Sequence, residues 1–212
     1  MSLDLYGEFD RQLENLVEKK YPKLAGMTEE KFTGLVQPLR FLLDKIKVRE
    51  PDIDEGYLPF VIVVKDGLIK SGEMMKSVEF NGKPGVTKLN PLEPEDFSTI
   101  DSMSIPETQV YLLMDIDRGK ESLNIRPENA LEMIRMKHRF PLTIDEGIAV
   151  VMQFPDFLIK NNCFSLLASR TGKDQRVPAI WINAAKQANL GWCWDRNPHT
   201  WLGSASAKLR TG

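Results

Sequence analysis

The stretch that decides the fold is Leu58-Pro59-Phe60-Val61-Ile62-Val63-Val64, a continuous apolar run of strand length. Such a run is typical of a strand that is buried on both faces, and it predicts a central strand. The next predicted strand is Val110 to Asp117, in which Asp115 and Asp117 share one face near the end. Both strands need an apolar cover, which the segments on either side supply.

Before the first strand, apolar residues recur every three or four positions among charged ones, which predicts a helical hairpin over residues 1–48. The first helix ends near Tyr21-Pro22, and the second begins after Thr28 and is interrupted at Pro38. We expect the hairpin to bury an apolar stripe of Phe9, Leu13, Phe32, Leu35 and Leu39. An exposed stripe would instead indicate a dimer surface, so a homodimer stays open.

After the first strand, Asn81-Gly82 predicts a tight hairpin turn, and Pro127 and Thr143-Ile144-Asp145-Glu146 each predict the start of a helix. Three strands follow, at Phe164–Ala168, Val177–Ile182 and Leu190–Trp194. Helices come first and strands dominate the end, which predicts the α+β class rather than alternating α/β. We expect the N-terminal helical hairpin to pack on a mixed, largely antiparallel sheet with further helices.

The composition is that of an ordinary globular protein: 212 residues, of which 42% are hydrophobic and 27% charged. This length predicts a single domain over residues 1–212, with 1–48 as a subregion. The chain has no apolar run of roughly 20 residues, so we expect no membrane helix. It does not start with a basic and then apolar signal, which predicts a cytoplasmic protein with Cys163 and Cys193 as free thiols.

The formal net charge of −2 disfavours a general nucleic-acid binder. Residues 157–212, however, carry eight Lys and Arg against two Asp, together with all four Trp. A basic segment rich in aromatics is typical of a protein that binds a small molecule or an acidic protein partner. The alternative is that this segment packs against the acidic remainder of the same chain.

The candidate ligand-binding residues lie in this segment: His199, Asn197, Trp192, Trp194, Trp201 and the nearby Arg170. Asn197-Pro198 favours a turn directly after a strand, the place where binding residues often sit. We therefore expect the loop 197–201 to line the main depression of the molecule. The resulting hypothesis is a binding or interaction module rather than an enzyme.

A hydrolase or transferase that uses Cys193 or His199 is the alternative function, because a thiol, an imidazole and a nearby Asn or Asp are the parts of a nucleophilic site. A thiol between two Trp is more typical of a small buried hydrophobic group. Two Cys and two His are too few for a zinc site, and Asp115 and Asp117 suit ion pairing better than magnesium. No phosphate-binding or dinucleotide-binding motif occurs, so we expect neither a metal nor a cofactor.

Trp192-Cys193-Trp194 followed by Asn197-Pro198-His199-Thr200-Trp201-Leu202-Gly203 is a distinctive combination. With Pro141–Gly147, Asn162–Leu166 and Val177–Trp181, it resembles a bacterial family of proteins of about 200 residues that have no assigned function. The resemblance implies a single cytoplasmic domain and directs attention to His199, Asn197 and the Trp residues. It implies no reaction.

Overall fold

The computed structural model of the chain describes residues 4–45 and 50–212. Its α-helices are α1 (Leu5–Glu18), α2 (Tyr21–Leu24), α3 (Glu29–Val36), α4 (Ser71–Ser77), α5 (Pro127–Met136) and α6 (Ile144–Gln153). Short 3₁₀ segments occur at Gln37–Lys45, Pro94–Asp96, Lys120–Ser122 and Pro155–Phe157. Its strands are β1 (Tyr57–Val64), β2 (Glu79–Phe80), β3 (Lys83–Pro84), β4 (Val86–Thr87), β5 (Ser98–Thr99), β6 (Val110–Asp117), β7 (Phe140–Pro141), β8 (Cys163–Ser165), β9 (Ser169–Arg170), β10 (Arg176–Ile182), β11 (Ala188–Trp194), β12 (Leu202–Ser204), β13 (Ser206–Ala207) and β14 (Leu209–Thr211). The α+β class is confirmed.

The first sheet has the strand order β1-β6-β13-β7, and β14 also pairs with β6. All of these pairings are antiparallel, and β6 is the strand that bonds to β1, β13 and β14. The prediction of a central strand at 58–64 is therefore wrong in position. β1 lies at the edge of its sheet, although all eight of its residues are buried.

The free edge of β1 is covered by one side chain of α1. The Nε2 atom of Gln12 donates a hydrogen bond to the Phe60 carbonyl at 3.1 Å, and its Oε1 atom accepts one from the Ile62 amide at 2.9 Å. The amide of Gln12 thus takes the place of a neighbouring strand for two backbone groups that would otherwise lack partners. Gln12 is fully buried.

The N-terminal helical hairpin is present, and its second arm changes at Pro38 from the α-helix α3 to the 3₁₀ segment Gln37–Lys45. Proline removes one backbone donor and clashes with the preceding turn, which explains the predicted interruption. Four members of the expected stripe are buried and Leu35 is partly buried against the core. The last part of the predicted hairpin, residues 46–48, lies outside the described residues.

The second sheet has the order β12-β8-β10-β11-β4 and is mixed, because β12 with β8 and β11 with β4 are parallel pairs. The strand predicted over 164–168 ends at Ser165, and β9 then pairs with β5 instead. The Asn81-Gly82 turn joins β2 to β3 as predicted, with φ values of 53° and 69° that Asn and Gly tolerate.

Residues 202–211 contribute to both sheets, since β12 pairs with β8 whereas β13 and β14 pair with β6. Where this segment passes residues 118–119, two backbones touch. A Cβ atom on Gly203 would lie 2.3 Å from the carbonyl oxygen of Gly119, so no larger residue fits without a backbone shift.

Helix α6 packs against β1 of the first sheet and β10 of the second. Nine of its ten residues are buried, and only Asp145 is partly exposed. Such complete burial suits its central position, and the apolar residues Ile144, Ile148, Val150, Val151 and Met152 supply most of the buried surface. None of the helices in the described part of the chain is long and apolar enough to span a membrane.

Candidate functional site

The four Trp residues form two pairs on opposite faces of the β10–β11 hairpin. Trp192 and Trp194 lie opposite Pro178 and Arg176, whereas Trp181 lies opposite Asn189. Cross-strand partners share a face and successive residues alternate, so Trp181 points away from Trp192 and Trp194. The ring centroids are 4.9 Å apart in the Trp192–Trp194 pair and 6.1 Å apart in the Trp181–Trp201 pair.

On the first face, the guanidinium of Arg176 lies over both Trp192 and Trp194, at 4.6 and 5.3 Å from the ring centroids. The indole N–H of Trp192 donates to the Leu89 carbonyl at 3.1 Å. Trp194 is 41% exposed and forms the outer end of this stack. We call Arg176, Trp192 and Trp194 the aromatic ladder.

On the second face, the ring of Trp181 lies directly on Gly191, where a Cβ atom would approach the ring to 2.2 Å. The imidazole of His199 packs on Trp201 with centroids 5.2 Å apart. Burial lowers the pKa of His199, and its Nε2 atom is buried without a hydrogen-bond partner in the described part of the chain. Asn197 is exposed, and its backbone amide donates to the Trp194 carbonyl at 3.0 Å.

Arg170 is held by an ion pair with Asp195 at 2.9 Å. Burial lowers the pKa of Arg170, while the carboxylate of Asp195 opposes that shift. The side chain of Arg170 is therefore engaged at the β11 end rather than in the loop 197–201. The predicted candidates thus divide among the aromatic ladder, the Trp181–Trp201–His199 face and this ion pair, and their role in binding stays a prediction.

Cys163 and Cys193 are free thiols, as predicted. Burial raises the pKa of Cys193 to about 11 and also raises the pKa of Cys163. A thiol with such a pKa is almost entirely protonated at neutral pH and is a poor nucleophile. This geometry argues against the hydrolase or transferase hypothesis as far as it depends on Cys193.

Half of the basic excess of residues 157–212 is neutralised by carboxylates from the rest of the chain. Five of the eight cations lie within 4.0 Å of a carboxylate: Arg170–Asp195, Arg176–Asp174, Arg196–Glu128, Lys208–Asp115 and Arg210–Glu146. Three of those carboxylates belong to the acidic remainder of the chain. The intramolecular alternative therefore explains half of the charge asymmetry without an acidic partner.

The paired acids at the end of β6 also have structural partners. Asp115 pairs with Arg139 at 2.6 Å, and Asp117 accepts a hydrogen bond from the Gly119 amide at 2.7 Å. Among residues 4–45 and 50–212, no group of three or more His, Cys, Asp or Glu side chains is arranged to hold a metal ion.

A depression of about 410 Å³ lies at the N-terminal end of α6, and we call it the α6 cleft. It is bounded by the segments that follow β1, by residues 94–105 and by the first turn of α6. None of residues 197–201 lines it, so this depression lies away from the predicted loop. Its walls and floor are Lys65, Asp66, Lys70, Ser71, Pro94, Glu95, Phe97, Thr99, Ile105, Tyr111, Thr143, Ile144, Asp145 and Ser169.

A hydroxyl shared by two carboxylates forms part of the α6 cleft. The Oγ atom of Ser71 lies 2.8 Å from Oδ1 of Asp145 and 3.0 Å from Oδ1 of Asp66. The Asp66 amide donates to the other oxygen of Asp145 at 3.0 Å. A hydroxyl has one proton to donate, so only one of its two carboxylate contacts is a full hydrogen bond unless a further proton is bound.

The two carboxylates differ in their electrostatic surroundings. Burial raises the pKa of Asp145 to about 6, with smaller contributions in the same direction from Asp66 and Glu146. For Asp66, burial also raises the pKa, but hydrogen bonds from Ser71 and Lys70 outweigh it and the net pKa is lowered. Asp145 forms no ion pair with any residue that the structure describes.

The neighbouring Glu146 is fully compensated, although it is completely buried. It accepts hydrogen bonds from the Thr143 amide and from the Tyr111 hydroxyl, each at 2.8 Å, and pairs with Arg210. Thr143 and Glu146 form the predicted capping box. Glu146 therefore stabilises the start of α6, whereas Asp145 is the acidic residue of the first turn that lines the cleft.

The two lysines of the cleft, Lys65 and Lys70, differ in whether a carboxylate compensates their charge. The ammonium of Lys70 lies 2.9 Å from Asp66 and 3.8 Å from Glu95. The ammonium of Lys65 donates to the Pro106 carbonyl at 2.8 Å and is paired with no carboxylate in the described ranges. Lys65 thus retains an uncompensated positive charge beside the cleft.

The sequence pattern at 143–146 predicted a capping box only, and Asp145 was not among the candidate site residues. Two signals could have found the cleft. Lys65 and Asp66 directly follow a buried apolar strand, a place where site residues often lie. Asp145 is a third polar residue within the capping box, and the hydrogen bonds of that motif need only Thr143 and Glu146.

The structure is thus an α+β protein with a polar depression at the N-terminal end of α6. The family model described as "Family of unknown function (DUF5701)" matches residues 15–212, and the chain belongs to this family. Neither the curated proteins nor the solved structures contain a match to the chain. The predicted resemblance to a family without assigned function is thus confirmed. The bacterial origin of the family, and the C-terminal motif as a feature that identifies its members, stay predictions.

Proposed function

We propose that the protein is a cytoplasmic binding protein and that the α6 cleft is its site for a small molecule. The observation that carries this proposal is Asp145, a partly exposed residue that lines a depression of about 410 Å³ and has no counter-charge from any described residue. Perturbed titratable groups in a concave site are the usual mark of a functional site.

The dimensions and the lining of the α6 cleft support this proposal. Small-molecule sites have volumes of roughly 300–1,000 Å³ and combine apolar walls with a few polar groups. At about 410 Å³ the cleft is near the lower end, which favours a small ligand. Phe97, Ile105 and Pro94 supply apolar surface, and Lys65 and Asp145 supply charge.

Binding fits the geometry better than catalysis by the hydroxyl in the cleft. Ser71 is only 2% exposed, and its hydroxyl is already shared by Asp66 and Asp145. A nucleophile must reach the substrate, and this hydroxyl is turned towards two carboxylates instead. Ser71 therefore orients the acids of the cleft.

A blocking variant with a matched control tests the proposal. Thr99 lines the α6 cleft from β5, whereas its neighbour Ser98 points to the opposite side of that strand. Thr99→Trp should abolish the stabilisation that cleft ligands give in a thermal-shift panel of small polar metabolites, and Ser98→Trp should not. Ligands that stabilise both variants equally, or a panel without any ligand, would contradict the proposal.

A second candidate function is ligand binding in the Trp-rich segment, either at the aromatic ladder or on the opposite face, where His199 and Trp201 lie. Asn197 and Arg170 complete the predicted set. The exposed ring of Trp194, stacked under the Arg176 guanidinium, supports this candidate. Small anions and sugars, or an acidic protein partner, should then change the Trp fluorescence in a saturable way. Trp194→Ala should lose this response if the ligand binds at the ladder, and His199→Ala should lose it if the ligand binds on the opposite face. A flat titration in the wild type would exclude both.

A further inference from the structure

Two uncompensated charges of opposite sign line the α6 cleft. Within residues 4–45 and 50–212, Lys65 bonds only to the neutral carbonyl of Pro106, and Asp145 accepts only from an amide and a hydroxyl. The cleft's other charged residues are paired with one another, since the Lys70 ammonium lies 2.9 Å from Asp66 and 3.8 Å from Glu95. A ligand therefore meets one free positive and one free negative group.

A partly buried charge without a counter-ion is unfavourable, because water is removed and no opposite charge replaces it. A ligand that brings the missing counter-charge removes this penalty when it binds. Since both signs are uncompensated in one depression, the best complement is a molecule that carries both signs itself.

A ligand of one sign fits less well. An anion drawn to Lys65 would also lie near the carboxylate of Asp145, and a polyamine drawn to Asp145 would lie near the ammonium of Lys65. Each would meet a like charge in the same small cleft, and such like-charge contacts are a way to reject wrong ligands.

The cleft also has an apolar wall. Phe97, Ile105 and Pro94 line it, and Phe97 is almost completely buried. These side chains carry no charge, so they suit a hydrocarbon group of the ligand.

We propose that the ligand of the α6 cleft is an α-amino acid with an apolar side chain. Lys65 binds its carboxylate, Asp145 binds its ammonium group, and Phe97 and Ile105 contact its side chain. This inference rests on the proposed function, because it names the ligand class of the same cleft.

Ligands that lack one charge at a time test the proposal. Leucine is compared by calorimetry with 3-methylbutylamine, which lacks the carboxylate, and with 4-methylpentanoate, which lacks the ammonium group. Loss of one charge-assisted contact should weaken binding roughly tenfold to hundredfold for each analogue. Isoleucine, valine, methionine and phenylalanine are tested as well, because the proposal names apolar amino acids as a class and not leucine in particular.

Variants then assign each charge to its residue. In Lys65→Met the preference for leucine over the amine should disappear, and in Asp145→Asn the preference for leucine over the acid should disappear. Lys83→Met is the matched control for Lys65, since Lys83 also donates to a backbone carbonyl at 2.8 Å but lies on the exposed β2–β3 hairpin. Asp117→Asn is the control for Asp145, because Asp117 bonds only to a turn amide.

The inference is overturned if no apolar amino acid binds at millimolar concentration, or if the two variants keep both preferences. A different ligand that Thr99→Trp excludes would leave the proposed function standing and overturn only the amino-acid assignment. Binding of an amino acid that Thr99→Trp does not affect would contradict both.

Discussion

Replacing Gln12 by Leu should destabilise the protein strongly, although the side chain carries no charge and lies far from the α6 cleft. Leucine has a similar size but cannot bond to the Phe60 carbonyl or the Ile62 amide, and both groups lie on a strand that is completely buried. An unsatisfied buried backbone group costs about 1–3 kcal/mol, so the two together should cost about 2–6 kcal/mol. For a chain of this size that lowers the melting temperature by roughly 4–24 °C.

Urea unfolding and native-state hydrogen exchange measure this effect. The free energy of unfolding should fall by the stated amount, and the Ile62 amide should lose most of its protection. Gln37→Leu is the control, because Gln37 is exposed and should change the stability by less than about 0.5 kcal/mol. If Gln12→Leu behaves like Gln37→Leu, or if the Ile62 amide stays protected, the account of Gln12 as the cover of the β1 edge is wrong.

Three further predictions follow from the packing and the titrating groups. Gly203→Ala should destabilise the protein by about 1–3 kcal/mol in urea unfolding because it meets a backbone carbonyl, whereas Gly34→Ala, with open space around it, should be neutral or stabilising. Asp145 has a raised pKa, so the folded state binds its proton more tightly and this group's contribution to stability falls as pH rises from about 4 through about 6. Asp145→Asn should therefore flatten that part of the pH–stability profile and leave the protein at least as stable at pH 7, and a clear loss of stability there would refute the assignment. Cys163 and Cys193 should react with a thiol reagent only slowly until denaturant is added, and fast labelling in the native state would contradict their burial.

Local sequence patterns predicted most of the longer elements, because each rests on interactions between near neighbours, but not α4 or the short strands β12 to β14. The capping box at Thr143, the Asn81-Gly82 turn and the helical stop at Pro38 all depend on residues within one turn of each other. Strand β6 was predicted with its observed bounds, since its apolar run is unbroken by Gly or Pro.

The place of β1 in its sheet could not be predicted in this way. An apolar run shows that a strand is buried, but not whether a neighbouring strand or a helix covers it. Here the cover is the side chain of Gln12, nearly fifty residues earlier in the chain, and no local pattern connects Gln12 with Phe60 or Ile62.

The candidate site was sought where rare residues are dense, and that criterion favoured the Trp-rich end. The spacing of Trp192 and Trp194 already implied that they share one face of β11, because side chains alternate along a strand. Nothing in the sequence showed that Trp181, on the neighbouring strand, points to the opposite face. Lys65 and Asp145 are common residues eighty positions apart, and only the tertiary fold brings them to one cleft.

The double role of residues 202–211 has a consequence for the order in which the chain can fold. Strand β6 leaves the ribosome long before β13 and β14, the partners that complete its sheet. Strand β8 likewise precedes its parallel neighbour β12. Pairings between such distant segments form slowly and only after the intervening chain is ordered. A nascent chain that ends before residue 202 therefore exposes one edge of each sheet, and it needs protection from aggregation until the closing segment arrives.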